Sequence, residues 1–317
     1  MRFIRNYCTD PYFNLACEEY LMQSECEDVF MLWQNEPSVI IGASQNAYAE
    51  VNLSYAEEKN IKIARRLTGG GAVYHDKGNI NFSVITDETG NGIDFVSFLK
   101  PIVNTLQGLG VNAEINGRND LVVDGLKVSG NAQGHKHGRI LHHGTLLYET
   151  DRDTMSAVLN VSAEKLKSKG IASVRSRVGE IKNMVGIGLN ELMSCLEASF
   201  DAKSEPLSEA EIEAIRLLAK EKYSTWEHIF GSSKALEKTV KKRFDGGSVE
   251  IGISSEGGVI TDVSIRGDFF SVGEPSLIEA ALVGVRLEYS ALREKISSSG
   301  CDIYGISSDD IAFMILE

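Results

Sequence analysis

Arg65-Arg66-Leu67-Thr68-Gly69-Gly70-Gly71-Ala72-Val73-Tyr74-His75-Asp76 sets two cations beside three consecutive glycines, then returns at once to β-forming residues. Glycine has no Cβ, so such a run lets backbone N–H groups close around a bulky anion. Adjacent arginines can add bidentate, charge-assisted hydrogen bonds to the same anion. The combination points to a bound phosphate. The stretch has neither the GxxxxGK[ST] spacing of a P-loop nor the GxGxxG of a dinucleotide fold, and a glycine-rich turn with two solvated arginines fits it equally well.

Upstream, Asp10-Pro11 opens a helix: the carboxylate caps free N–H groups and proline suits the first helical position. Residues 29–34 and 38–42 read as short buried strands around Asn35-Glu36-Pro37. A polar helical stretch near 52–60 precedes strand 61–65, which feeds the glycine loop. Beyond the loop, strand 73–74 continues towards 79–86. Asp94 caps a helix over 94–109, in which Pro101 predicts a kink. Asp124-Gly125, between Leu121-Val122-Val123 and Leu126-Lys127-Val128, is a hairpin signal. Strand alternation then puts Leu126 and Val128 on one face, with Lys127 and Ser129 on the other. Residues 139–148 form a strand interrupted by Gly144. Helices are expected over 151–159, 162–169, 189–200 and 208–223, with a basic helix over 233–243 ending at Asp245-Gly246-Gly247. A hairpin around Ser255-Glu256-Gly257-Gly258 and helices near 275–285 and 287–297 follow. The last seventy or so residues are about enough for a small α+β unit, so a division near 245 is expected.

The chain has 317 residues, 43% hydrophobic and 24% charged, ordinary values for a globular protein. No run is long and apolar enough to span a bilayer, and no signal-peptide pattern follows Met1. The five cysteines are widely spaced with no CxxC, as expected of reduced thiols and not of a zinc ribbon. These features predict a cytoplasmic protein. A net charge of −13 argues against broad binding to nucleic acid or anionic membranes. Any anion must therefore be gripped by a local basic site, such as Arg65-Arg66, Arg175-Ser176-Arg177 or Lys241-Lys242-Arg243.

Four other features are candidates for chemistry. Lys127 projects from a hairpin strand opposite its apolar neighbours, either into a site or onto a solvated face. Asn119-Asp120 precedes the hairpin, where the aspartate suits Mg²⁺ beside phosphates and the pair equally suits an Asx turn. Four of the six histidines fall within 135–143. Neighbouring strand positions point to opposite faces, so His142 and His143 are poorly placed to share one ion. Arg175 and Arg177 offer a second anion grip or an ordinary charged surface. No cysteine lies beside a histidine or in a glycine loop, which leaves a thiol nucleophile weakly supported.

Together these features match one family. RRLTGGGAVYHDKGNINFS, GRNDLVVDGLKVSGNAQ, HHGTLLYETD and GIASVRSRVGEI, in this order, resemble lipoate–protein ligase A. NLACEEYL and IIGASQNAYAEVN are similar to the same family, and GVITDVSIRGDFF looks like the accessory C-terminal domain of its longer members. The resemblance implies an α+β protein. Its mixed-sheet catalytic domain, of the biotin/lipoate ligase type, is expected over 1–245 and the small α+β accessory domain over 246–317.

The resemblance also implies an activity. Lipoate is activated with ATP and Mg²⁺ to lipoyl-AMP and pyrophosphate. The lipoyl group then passes to a lysine of a lipoyl-carrier domain, in the E2 subunits of 2-oxoacid dehydrogenases or the glycine cleavage H protein. By motif match, Arg66 contacts the nucleotide, and Gly69, Gly70, Gly71, Ala72, Val73 and Tyr74 line the ATP and adenylate site. Lys127 touches both the lipoyl carbonyl and the phosphate. Asn119 and Asp120 lie on the phosphate side, with Asp120 the metal candidate. Asn79 and Ser129 are polar contacts, while His143, Gly144, Thr145 and Glu18 fall on the lipoyl side. His75 sits in a matching motif too. Asn131 stands where some members have serine, and Cys17 where an aliphatic residue is usual. The alternatives are an ATP-independent lipoyl or octanoyl transferase on the same scaffold, and a non-catalytic lipoate-binding protein.

Overall fold

In the computed structural model, residues 1–23, 27–88, 92–116, 119–160, 178–231 and 236–317 are described. The expected helix over 162–169 and the Arg175–Arg177 grip lie outside them. Eight strands form one sheet in the order Lys203–Ser204, Arg2–Arg5, Val29–Trp33, Asn79–Asp87, Arg139–Leu147, Leu126–Lys136, Asp120–Val123 and Ala113–Asn116. The first three are parallel neighbours and the rest antiparallel, so the sheet is mixed. A three-stranded sheet carries Ser38–Ile41 between Lys62–Arg65 and Val73–His75. The architecture is α+β, as expected.

Alternation divides the large sheet's central strands. Phe30, Leu32, Phe82, Val84 and Leu146 face one core, with helices Phe95–Gly108 and Leu189–Ala198 over them. Trp33, Ser83 and His143 face the other side, towards helix Pro11–Gln23 and the small sheet. Residues 73–75 and 79–87 do not form one strand. The turn at Asp76–Gly78 sends them into different sheets. The glycine loop therefore hangs between the two sheets. Helix Phe95–Gly108 is unbroken through Pro101, and the 208–223 segment ends in a π-helical turn, Ala219–Tyr223.

The basic helix expected over 233–243 is a strand. Lys238–Phe244 pairs antiparallel with Gly247–Glu256, which pairs with Val259–Gly267. Asp245-Gly246 is thus a hairpin turn and not a helix stop, and a side chain at Gly246 would meet the Tyr304 carbonyl oxygen at 1.8 Å. Thr239, Val240 and Phe244 suit that strand, whereas the basic residues between them carry no helical period. Helices Pro275–Leu282, Tyr289–Ser297 and Ser308–Leu316 pack on this sheet through Ile278, Leu292 and Ile311. The last was not foreseen, although Ser307 and Asp310 cap each other reciprocally at its start.

Candidate active site

Lys127 owes its direction to a bulge. Lys127 opposes Val122 and Ser129 opposes Leu121, so Val128 is an extra residue between the two pairs. Such a bulge resets the alternation. Lys127 and Gly130 then stand on the cavity wall, whereas Ser129 is fully buried with its hydroxyl bonded to Asn131. The expectation that Lys127 and Ser129 share a face fails for this reason. Gly130 leaves the space in which the ammonium lies: a Cβ there would sit 2.9 Å from Lys127 Nζ. The ammonium pairs with Asp120 Oδ1 at 2.8 Å.

These residues line a cavity of about 240 Å³. Gly70, Gly71, Ala72, Val73 and Tyr74 form one wall; Asn119, Asp120 and Lys127 another; His143, Gly144 and Thr145 belong to the sheet behind them. Leu15, Trp33 and Ile40 make an apolar portion from one continuous hydrophobic cluster. Arg243, Asp268 and Phe270 add a wall from the C-terminal part of the chain. Twelve of the expected positions thus meet in one place: Arg66, Gly70 to Tyr74, Asn119, Asp120, Lys127, and His143 to Thr145.

Gly69, Asn79, Ser129 and Glu18 are not on the cavity wall. A side chain at Gly69 would meet the Phe269 carbonyl oxygen at 2.1 Å, so this glycine admits the C-terminal part of the chain. Asn79 donates to Asn81 Oδ1 at 2.7 Å, and it is Asn81 that lines the cavity. At Gly144 the space of a side chain is filled by Asn131 Oδ1 and the Phe82 ring, 2.0 and 2.4 Å from an added Cβ. Its missing side chain serves strand packing.

The two arginines act differently from a simple anion clamp. Arg65 donates all its bonds to main-chain carbonyls, of Gly42, Ala43, Gln45, His228 and Ile229, and stays off the cavity wall. Arg66 donates to the carbonyls of Ile40, Gly69 and Gly71 and to Thr68 Oγ1. Burial pushes its guanidinium down to about 10, still charged at neutral pH. It therefore shapes the loop whose residues Gly70 to Tyr74 line the cavity.

Glu18 works through others. Its Oε1 accepts from Ser83 Oγ at 2.6 Å and lies 2.8 Å from His143 Nδ1, while His143 Nε2 is 2.7 Å from Thr68 Oγ1. Thr68 Oγ1 also accepts from Arg66 Nε at 3.1 Å, which extends the chain to the guanidinium. Helix Pro11–Gln23, the large sheet and the glycine loop are joined by this one buried chain.

A second chain sets His75. Backbone N–H of Cys8 donates to Asn6 Oδ1, and Asn6 Nδ2 donates to Asn14 Oδ1. Asn14 Nδ2 meets the carbonyls of Cys8 and Gln34 and Asn35 Oδ1. Asn35 Nδ2 must then donate to His75 Nδ1, 3.1 Å away, which leaves the ring proton on Nε2. Burial, with Arg66 and His143 nearby, pushes this ring down to about 3, so it lines the cavity as a neutral group.

His142 and His143 point to opposite faces, as alternation requires; His142 lies among Phe82, Phe95 and Phe98. His135 pairs with Glu88 at 2.9 Å. Among the described residues no group of three or more His, Cys, Asp or Glu side chains is placed to hold a metal ion. Asp120 is the carboxylate present beside Lys127, and one hard oxygen ligand plus substrate phosphates is a donor set that suits Mg²⁺.

Residues 10–201 match the lipoyl protein ligase A/B catalytic domain, and residues 233–315 the bacterial lipoate protein ligase C-terminus. This chain belongs to the lipoate–protein ligase family. Lipoate-protein ligase LplJ of Bacillus subtilis is 39% identical over 99% of this chain and 100% of its own length. A crystal structure of a lipoate-protein ligase A bound with ATP is 31% identical, with a TM-score of 0.63 over 73% of this chain and 98% of that one. A P. falciparum protein in complex with lipoate has the same fold, with a TM-score of 0.83 over 99% of both chains at 22% identity.

The motifs of this ligase were legible along the first part of the chain, but Asp268, Phe270 and Arg243 were missed as cavity residues. The signal for the first two was Gly267-Asp268-Phe269-Phe270, an acidic residue wedged between glycine and two aromatics. Lys241, Lys242 and Arg243, expected as a local anion grip, do not point to one place. Lys242 reaches Glu317, while Arg243 faces the cavity.

Proposed function

We propose that this protein activates lipoate with ATP and Mg²⁺ and transfers the lipoyl group to a lysine of lipoyl-carrier domains, in E2 subunits and the glycine cleavage H protein. The observation that carries this is the meeting of the Lys127 ammonium and the Gly70–Ala72 backbone on the walls of one cavity with an apolar portion. A lipoate carboxylate oxygen attacks the α-phosphorus, and the bond to pyrophosphate breaks with its electron pair on the leaving oxygen. Oriented amides and a fixed ammonium neutralise charge that develops there without having to reorganise. In the second step the carrier amine attacks the acyl carbonyl, AMP leaves, and Lys127 stabilises the oxyanion as a protonated clamp. Asp120 would hold Mg²⁺, which when bound neutralises phosphate charge.

Cysteine placement favours the ligase over a transferase working through an acyl-cysteine. None of the described cysteines lines the cavity. Burial pushes the Cys17 and Cys8 thiols up, and Cys301 up to about 11, away from the thiolate. Free cysteines fit a reducing, cytoplasmic setting, and no helix of the described residues is long and apolar enough to cross a membrane.

The accessory part, expected over 246–317, together with strand Lys238–Phe244 of the same sheet, closes on the adenylate site in one half-reaction and swings away in the other. Its protection from proteolysis should change when lipoyl-AMP is added; an unchanged digestion pattern counts against this motion. The central test mixes protein, ATP, Mg²⁺ and lipoate, then adds a carrier domain. Pyrophosphate release followed by carrier lipoylation supports the ligase. Modification without ATP supports the transferase, and tight binding without turnover supports the binding protein.

A further inference from the structure

We infer that Arg243, from the C-terminal part of the chain, is a catalytic residue of the activation step alone, receiving the negative charge of the departing pyrophosphate. This rests on the ligase reading above and deepens it. Among the described residues three Lys or Arg side chains line the cavity: Arg66, Lys127 and Arg243. Arg66 spends three donor contacts on its own loop and a fourth on the Ile40 carbonyl, and Lys127 is paired with Asp120 at 2.8 Å. Arg243 is held by Nη1 only, at 2.7 Å to Ser248 Oγ and at 3.4 and 3.5 Å to the Asp268 carboxylate. The Asp268 separation is longer than the roughly 2.7–2.9 Å of a direct charge-assisted bond. Nε and Nη2 remain for a ligand.

The anchor is cross-braced. Ser248 N–H donates to Asp268 Oδ1 at 2.6 Å, and the Asp268 N–H donates back to the Ser248 carbonyl at 3.2 Å. The next residue, Phe269, accepts from the Gly70 N–H at 3.0 Å, which ties the whole corner to the glycine loop. In a chain of net charge −13, a triphosphate needs every cation the site offers. Activation forms the carboxylate–phosphorus bond and leaves an extra negative charge on pyrophosphate. Transfer from lipoyl-AMP releases AMP and produces no pyrophosphate. A guanidinium that meets pyrophosphate therefore matters to the first step and not to the second.

The experiment separates the two half-reactions in Arg243→Gln and Arg243→Lys. Pyrophosphate release from ATP and lipoate is followed alone; carrier lipoylation is followed separately with preformed lipoyl-AMP. Arg243→Gln should slow pyrophosphate release by about a hundredfold, the usual size for removing one fixed donor to developing charge. Transfer from lipoyl-AMP should stay within about twofold, and Arg243→Lys should recover part of the first step. Equal losses in both steps, or a fall in thermal midpoint that accounts for the loss, would mean that Arg243 only rivets the corner and would overturn the inference. So would unchanged pyrophosphate release in Arg243→Gln while the unmutated enzyme turns over. Absence of pyrophosphate release from the unmutated enzyme overturns the ligase reading, and this inference with it.

Discussion

The Gly70 amide, in the middle of the triple-glycine loop, donates to the Phe269 carbonyl at 3.0 Å. The loop expected to cradle a phosphate is thus held by the C-terminal part of the chain, with Phe270 ring atoms close to the same glycine. Gly70 has φ +87°, and a Cβ there would meet Phe270 ring atoms at 2.8 and 2.9 Å. Alanine at 70 takes on both the left-handed backbone cost, about 1–2 kcal/mol, and this collision. Gly70→Ala should raise the KM for ATP by about tenfold, which corresponds to about 1.4 kcal/mol. An ATP titration of pyrophosphate release that superposes on that of the unmutated enzyme refutes the role of this glycine.

Lys127→Ala removes the ammonium common to both proposed half-reactions. Pyrophosphate release and transfer from lipoyl-AMP should both fall by at least about a hundredfold while the circular dichroism spectrum stays unchanged. Preserved activity in either step would remove Lys127 from that step.

Thr68→Val keeps the shape of the side chain but strips the hydroxyl that joins His143 Nε2 to Arg66 Nε. Two buried polar atoms lose a partner, at about 1–3 kcal/mol each. The urea midpoint should fall accordingly, and Thr68→Ser should restore it. A valine variant as stable as the unmutated protein would show that the chain from Glu18 to the loop carries no stability.

His142 has both ring nitrogens without a partner among the described residues, and burial pushes it from 6.5 down to about 3. The unfolded chain takes up this proton below 6.5, whereas the folded one resists until about 3. Its contribution to stability is complete above the upper value and is lost as pH falls, by about 1.4 kcal/mol per pH unit between the two. His142→Phe, in a site walled by Phe82, Phe95 and Phe98, should flatten the acid limb of unfolding free energy by about one proton. Urea denaturation at pH 7, 6 and 5 reads the slope directly; equal slopes in both proteins would exclude this histidine as the source.

Much of the site was legible because its residues come in contiguous motifs. The loop glycines, Asn119-Asp120 with Lys127, and His143-Gly144-Thr145 each sit in a short run whose composition is unusual for plain structure. Legibility ended where geometry depends on a partner strand. The extra residue at Val128 turns Ser129 away from Lys127, and nothing in Leu126–Ser129 announces it. Residues 238–244 fooled helix reasoning because their strand pairing comes from Gly247–Glu256, and an Asp-Gly pair serves a helix stop and a hairpin equally well.

The linear chain determined, by itself, the family, the α+β class, the anion-binding loop and the lysine opposite it. Those depend on local chemistry: missing Cβ atoms, a lone ammonium among apolar neighbours, turn residues between strands. Only the tertiary structure decided that Arg65 is spent on carbonyls, that Glu18 acts through His143 and Thr68, and that Arg243, Asp268 and Phe270 complete the cavity. Side chains about two hundred residues apart meet there because burying Phe269 and Phe270 draws the C-terminal part of the chain onto the glycine loop, a consequence of apolar burial summed over the whole chain that no local pattern encodes.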